Sequence, residues 1–293
     1  MYEQEHLKSW LKSRTPTIWS LLNSKAQSTL PLGIAEYIGK GDPAEIEAGR
    51  TGLVTVEKHL QDLISLCGYA AIRATYRRDI SGVYTVNQMA ELLCEITLCA
   101  SVSRLSPQKP QLRPPSGTGT FCDVAIQLAG QTVYCEVKRY EDPWPNNEGP
   151  FSRSIVKSSP DEKPTPAKRP RHMDLQSKLK GVPGQFPRGS VNILFVFHRS
   201  LAESAKYIQQ SLFGESTFFV EPAEVYPEED GLFTTEAWRT VSACYLSRVQ
   251  SDGHLVCPTV WQNPRAFVLL PAPVYELLDR FRSRSTSDGS EIV

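Results

Sequence analysis

No stretch of this 293-residue chain approaches the roughly 20 apolar residues a membrane helix needs, so no membrane span is expected. The first residues, MYEQEHLKSWLKSR, are polar and lack the apolar centre of a signal peptide, which points to a cytoplasmic protein. Seven cysteines, an odd number, keep neither metal-ligand nor disulfide-framework spacing. Cys94, Cys99, Cys122 and Cys135 lie among apolar residues, and reduced, buried thiols are expected. His6, His59, His172, His198 and His254 show no paired metal spacing. A Gly-rich phosphate loop, a GxSxG elbow, an RNA-binding aromatic pattern and internal repeats are all missing. Thirty-two basic and 32 acidic residues cancel, so no global positive field draws the chain to nucleic acid.

What the chain does have is an ordinary globular composition, 40% hydrophobic and 22% charged, long enough to bury a core without staples. Its charge is uneven. Ser152 to Gly181 carries eight Lys or Arg against three acids, while Glu221 to Glu236 carries six acids and no base. Lys157, Lys168, Arg169 and Arg171 in the basic stretch suit phosphate contacts; a solvated loop is the plainer alternative.

Residues 1–82 read as helices joined by loops, with Val56, Leu60, Leu63 and Ile64 on one face. Thr85 with Gln88 forms a capping-box pattern that opens the next helix. Only Glu91 and Glu95 are charged in its MAELLCEITLCA stretch, four apart on one face of a helix that should be mostly buried. The prolines and glycines of SPQKPQLRPPSGTG predict an irregular loop. The strands FCDVAIQL and TVYCEVKRY follow, with Ala129 and Gly130 as a tight turn between them. After a Pro-rich stretch come a helix over MDLQSKLKG, the central strand VNILFVFH and a helix over SLAESAKYIQQSLFG. TVSACYLSRV and HLVCPTVW form a hairpin around Ser251, Asp252 and Gly253, VYELLDRFR a last helix, and the tail frays.

With a two-residue turn at Ala129 and Gly130, residues whose numbers sum to 259 face each other across the hairpin, so Asp123 faces Glu136. Alternation then places Asp123, Ala125, Tyr134, Glu136 and Lys138 on one face. The other face carries Cys122, Val124, Ile126, Val133, Cys135 and Val137 and is a core face. Adjacent ionised carboxylates repel, and one takes a proton unless a cation intervenes. A hard divalent cation suits such oxygen ligands, activates water and offsets charge on a phosphoryl group. The bland alternative is an exposed strand face with a Glu–Lys pair and an isolated Asp.

These residues resemble the PD-(D/E)xK nuclease superfamily over roughly residues 83–200: a helix glutamate, then Asp123, then Glu136-Val137-Lys138, then a helix and a strand. Cys122 stands where the family has proline. The resemblance implies an α/β fold: a restriction-endonuclease-like core over 83–213 with a mixed β-sheet flanked by helices. An N-terminal helical region (1–82) and a C-terminal α+β extension (214–293) would elaborate it. It implies Mg²⁺ or Mn²⁺ held by Asp123, Glu136, the Val137 carbonyl and Glu95, with Glu91 as the other helix acid. Lys138 would be the catalytic lysine, Gln185 or Gln176 a later glutamine, and the activity hydrolysis of nucleic acid, DNA first, with a second copy or a partner subunit allowed. The competing expectations are a non-catalytic nucleic-acid- or protein-interaction module on the same fold, and an unrelated α/β protein.

Overall fold

The computed structural model describes residues 2–116, 119–140, 171–198, 201–214, 231–249 and 254–282. Six helices fill the first part: α1 (Tyr2–Arg14), α2 (Pro16–Leu21), α3 (Ser24–Ser28), α4 (Leu32–Gly39), α5 (Pro43–Cys67) and α6 (Tyr69–Ser81). The predicted stripe holds: Val56, Leu60 and Leu63 are buried in α5, and Ile64 packs beside them. Gly68 separates α5 from α6 because the chain passes through φ +86° there, a conformation a side chain would strain.

Helix α7 (Val86–Ser103) starts where the capping box places it. The Thr85 hydroxyl accepts from the Gln88 N–H at 3.1 Å, and the Gln88 side chain accepts from the Thr85 N–H at 3.2 Å. Most of α7 is buried because it lies between α4 and α5 on one side and the sheet on the other.

Six strands form one mixed sheet in chain order: β1 (Gln111–Leu112), β2 (Val124–Leu128), β3 (Gln131–Tyr140), β4 (Val191–His198), β5 (Ala243–Val249) and β6 (Leu255–Gln262). Pairs β1–β2, β2–β3 and β5–β6 are antiparallel; β3–β4 and β4–β5 are parallel. Helix α8 (Arg171–Leu179) lies between β3 and β4 in the chain, and α9 (Leu201–Phe213) between β4 and β5, as parallel crossovers require. Helix α10 (Ala272–Leu278) ends in a 3-10 turn, Asp279–Phe281. The basic stretch containing Lys157, Lys168 and Arg169, the turn at 251–253 and the tail from 283 lie outside the described residues.

The loop before β2 is not wholly irregular, since Gln111 and Leu112 pair with Ala125 and Val124 as a short edge strand. In β4 the unbroken apolar run follows from two covered faces. Ile193 and Phe195 enter one core with α1–α7 and α10; Leu194 and Val196 enter another with α8 and α9. The first core draws on all three segments marked off in the sequence, from Leu7 through Val124 to Leu278.

The β2–β3 register is the one the turn arithmetic predicts, Val124 facing Cys135 and Leu128 facing Gln131. Ala129 (φ 48°) and Gly130 (φ 77°) are both left-handed, as the favoured two-residue hairpin turn requires. Alanine carries a steric cost there that asparagine largely avoids. Ala129→Asn is therefore expected to stabilise the fold by about 0.5–1 kcal/mol, roughly 1–3 °C in Tm by thermal denaturation. An unchanged or lower Tm would show that the turn is not under strain.

Candidate active site

Alternation along the hairpin breaks at one place. Cys122 does not join Val124 on the α7 face; it packs with Tyr140, Leu175 and Leu179 in the other core. The expected core face thus loses Cys122, and the chain turns away from β3 just before Asp123. In a continued ladder Val137 would bond to residue 122. Instead its N–H donates to Asp123 Oδ2 at 2.6 Å. The Val137 carbonyl, on the same edge of the strand as its N–H, lies where β2 has ended.

That opening is the floor of a cavity of about 780 Å³. Glu91 and Glu95 of α7, Asp123, and Glu136, Val137 and Lys138 of β3 line it, together with Gln185 from the 3-10 turn Val182–Gln185 after α8. Glu91 and Glu95 both reach the cavity, but Glu91 is exposed and Glu95 sits deeper. Gln185 is the later glutamine that reaches it, its amide 3.5 Å from the Phe121 carbonyl, whereas Gln176 bonds to the Ser211 carbonyl. Arg171 opens α8.

Arg78, Asp79 and Tyr84 also line the cavity, and Arg113 organises its back wall. The Arg113 guanidinium bonds both Glu95 oxygens, at 2.9 and 3.1 Å, pairs with Asp79 of α6 and donates to the Thr75 carbonyl. Its backbone N–H donates to the Asp123 carbonyl at 2.9 Å. One residue therefore ties α6, α7 and the approach to Asp123 together, and it does so at φ 46°, a costly backbone for a non-glycine. No local sequence pattern announces it. The one available sign was a glutamate on an otherwise apolar helix, which requires a partner.

Two buried carboxylates in this protein make an instructive contrast. Glu57 is 4% exposed, and its oxygens accept from the N–H groups of Thr17 and Ile18 at the start of α2 and from Gln61. Every part of that burial has a structural reason. Glu136 is 1% exposed; Oε1 pairs with Lys138, but Oε2 is buried without a hydrogen-bond partner. An oxygen left this way costs about 1–3 kcal/mol or more unless a proton shared with the neighbouring Asp123 carboxyl serves it.

Electrostatics agree. Burial, then the Glu136 charge, pushes the Asp123 carboxyl well above the carboxylate range, while the Val137 N–H and Lys138 pull it back only in part. Burial, with the Glu95 charge, raises Glu136 as well, opposed by Lys138 and by a side-chain hydrogen bond with Asp123. Glu95 is pushed up to about 7, first by burial and then by Asp123, with Arg113 opposing. Among the described residues five acids and three bases line the cavity, with Arg113 behind two of the acids. Such a site repels a phosphodiester and attracts a cation.

The residues fit a divalent cation in part. Asp123, Glu136 and Val137 line one cavity, and their carboxylate and carbonyl oxygens are hard donors. Glu95 is occupied by Arg113, and among the described residues no three His, Cys, Asp or Glu side chains are grouped to hold a metal ion. Elsewhere the seven cysteines are free thiols, all buried but Cys94, and no helix among the described residues is long and apolar enough to cross a membrane. Compared with models of known families, with curated proteins and with solved structures, the chain matches none.

Proposed function

We propose that this chain is a metal-dependent nuclease of the PD-(D/E)xK type, with DNA as its substrate. The observation that carries the reading is the buried Asp123–Glu136 carboxyl pair at the open end of β2, with Glu136 Oε2 unpartnered and Lys138 beside it. The strand order and crossovers around it suit a restriction-endonuclease-like core.

Asp123, Glu136 and the Val137 carbonyl would hold Mg²⁺ or Mn²⁺. When bound, the ion would acidify water and offset the charge that builds on phosphoryl oxygens. Lys138, paired with Glu136 at the cavity wall, would steady the scissile phosphate and orient the attacking water in line with the leaving oxygen. Glu95 stays with Arg113 and sets the field behind Asp123 rather than acting as a ligand. Arg78, exposed on the rim, meets the neighbouring phosphate.

Incubating the purified chain with DNA and Mg²⁺ or Mn²⁺ tests this. Cleavage is expected from the wild type and not from Asp123→Ala; equal cleavage by both would place the catalyst elsewhere. A second reading, a non-catalytic interaction module on the same fold, draws on the Arg113–Glu95 pairing and the missing three-acid cluster. It predicts that DNA is bound but never cut, whatever the metal.

A further inference from the structure

Tyr84 immediately precedes the N-cap of α7, the position from which an apolar side chain usually folds onto the residue five further along. That partner, Met89, is buried in the core at 1% exposure, yet Tyr84 is 71% exposed. The tyrosine backbone is not loose, because its N–H donates to the Gln88 side chain at 2.9 Å as part of the capping network. A largely exposed aromatic ring on a held backbone therefore stands at the edge of the carboxylate cavity. A second ring, Phe121, is 55% exposed two residues before Asp123, and Gln185 of the cavity wall reaches its carbonyl. Three cationic side chains line the space between α7 and β3: Arg78, Lys138 and Arg139.

Exposed aromatic rings beside cations that can follow a phosphate backbone form the usual platform for single-stranded nucleic acid. In an intact duplex both faces of each base are already stacked, so these rings have nothing to gain from it. An unpaired base offers a free face. The recessed Glu136 adds to this: the phosphate must enter the cavity, which a flexible single strand does more readily than a paired one.

From this we infer that the site takes unpaired nucleotides, a single strand or a single-stranded end, with Tyr84 and Phe121 as the stacking platform. The inference rests on the nuclease reading above and names its substrate class.

The test is fluorescence anisotropy on labelled oligonucleotides in Ca²⁺, with cleavage in Mg²⁺ as a second readout. The probes are one sequence as single-stranded DNA, blunt duplex, duplex with a single-stranded flap, and single-stranded RNA. Single-stranded and flapped DNA are expected to bind at least tenfold more tightly than blunt duplex. Tyr84→Ala and Phe121→Ala are each expected to weaken single-strand binding roughly 5- to 150-fold, while Tyr84→Phe keeps it. Because both rings are exposed, circular dichroism should show all variants folded. RNA binding equal to DNA would leave stacking in place and remove the preference for DNA. Equal binding of duplex and single strand, with Tyr84→Ala matching the wild type, overturns the inference even if Mg²⁺-dependent cleavage persists. Absence of both binding and cleavage on every probe overturns the nuclease reading together with it.

Discussion

Asp123→Asn is expected to make the metal-free protein more stable by about 1–2 kcal/mol at pH 8 while abolishing its cleavage of DNA. The amide is isosteric, keeps an oxygen for the Val137 N–H and removes a charge from a buried site shared with Glu136 and Glu95. Its NH₂ adds a donor next to the orphaned Glu136 oxygen. The pH dependence has a definite sign. A carboxyl raised in the folded state holds a proton that the unfolded chain gives up. Its contribution is fully present below the unfolded value and is lost as pH rises through the folded one. For Glu95 that window runs from 4.5 to about 7, and Asp123 shifts in the same direction. The advantage of Asp123→Asn should therefore be absent near pH 4 and grow towards pH 8, read from Tm in excess chelator. A variant less stable than wild type at pH 8 would mean that Asp123 is a structural acid like Glu57. The activity loss that the proposed nuclease would show, at least about a thousandfold, follows because a bound ion would lower the barrier by several kcal/mol.

The second large effect belongs to Arg113. Arg113→Met keeps the aliphatic stem and the same backbone strain but leaves the Glu95 carboxyl, 13% exposed and facing Asp123, without its partner and driven further towards its protonated form. Breaking a buried ion pair costs about 3–5 kcal/mol; with the Arg113 side chain 31% exposed, roughly 2–3 kcal/mol is expected, some 5–10 °C in Tm. Removing the unpartnered buried carboxyl as well, in Arg113→Met with Glu95→Leu, should restore most of that loss. Additive losses in the double variant would show that the two residues are not coupled. Any cleavage by Arg113→Met should fall about a hundredfold even where it remains folded, because the Glu95 carboxyl behind Asp123 loses the guanidinium that holds it in place.

The parts of this site that sequence exposes are those set by local rules. A two-residue turn determines the pairing of Val124–Leu128 with Gln131–Cys135, and the same arithmetic carried one residue past the ladder puts Asp123 beside Glu136. The Thr85–Gln88 box sets where α7 begins, and so which way Glu91 and Glu95 project. What stayed hidden depends on long-range packing. Cys122 leaves the strand because the second core, built from α8, α9 and the 3-10 turns, takes it up. Arg113 meets Glu95 and Asp79 from 18 and 34 residues away, out of a proline-rich segment with no pattern to betray it. Tyr84 occupies a position where apolar residues usually fold inward, and only the structure shows that it does not. The alternation rule also treated Asp123 as an ordinary strand residue, although its chemistry arises because the strand ends there.

The most direct measurement of the central claim is calorimetric titration of the metal-free chain with Mg²⁺ and Mn²⁺ at pH 8, alongside Glu136→Gln. Cation uptake at the Asp123–Glu136 pair predicts a saturable heat for the wild type, proton release on binding, and loss of both in Glu136→Gln. The same heat from Glu136→Gln, or none from the wild type, would contradict it.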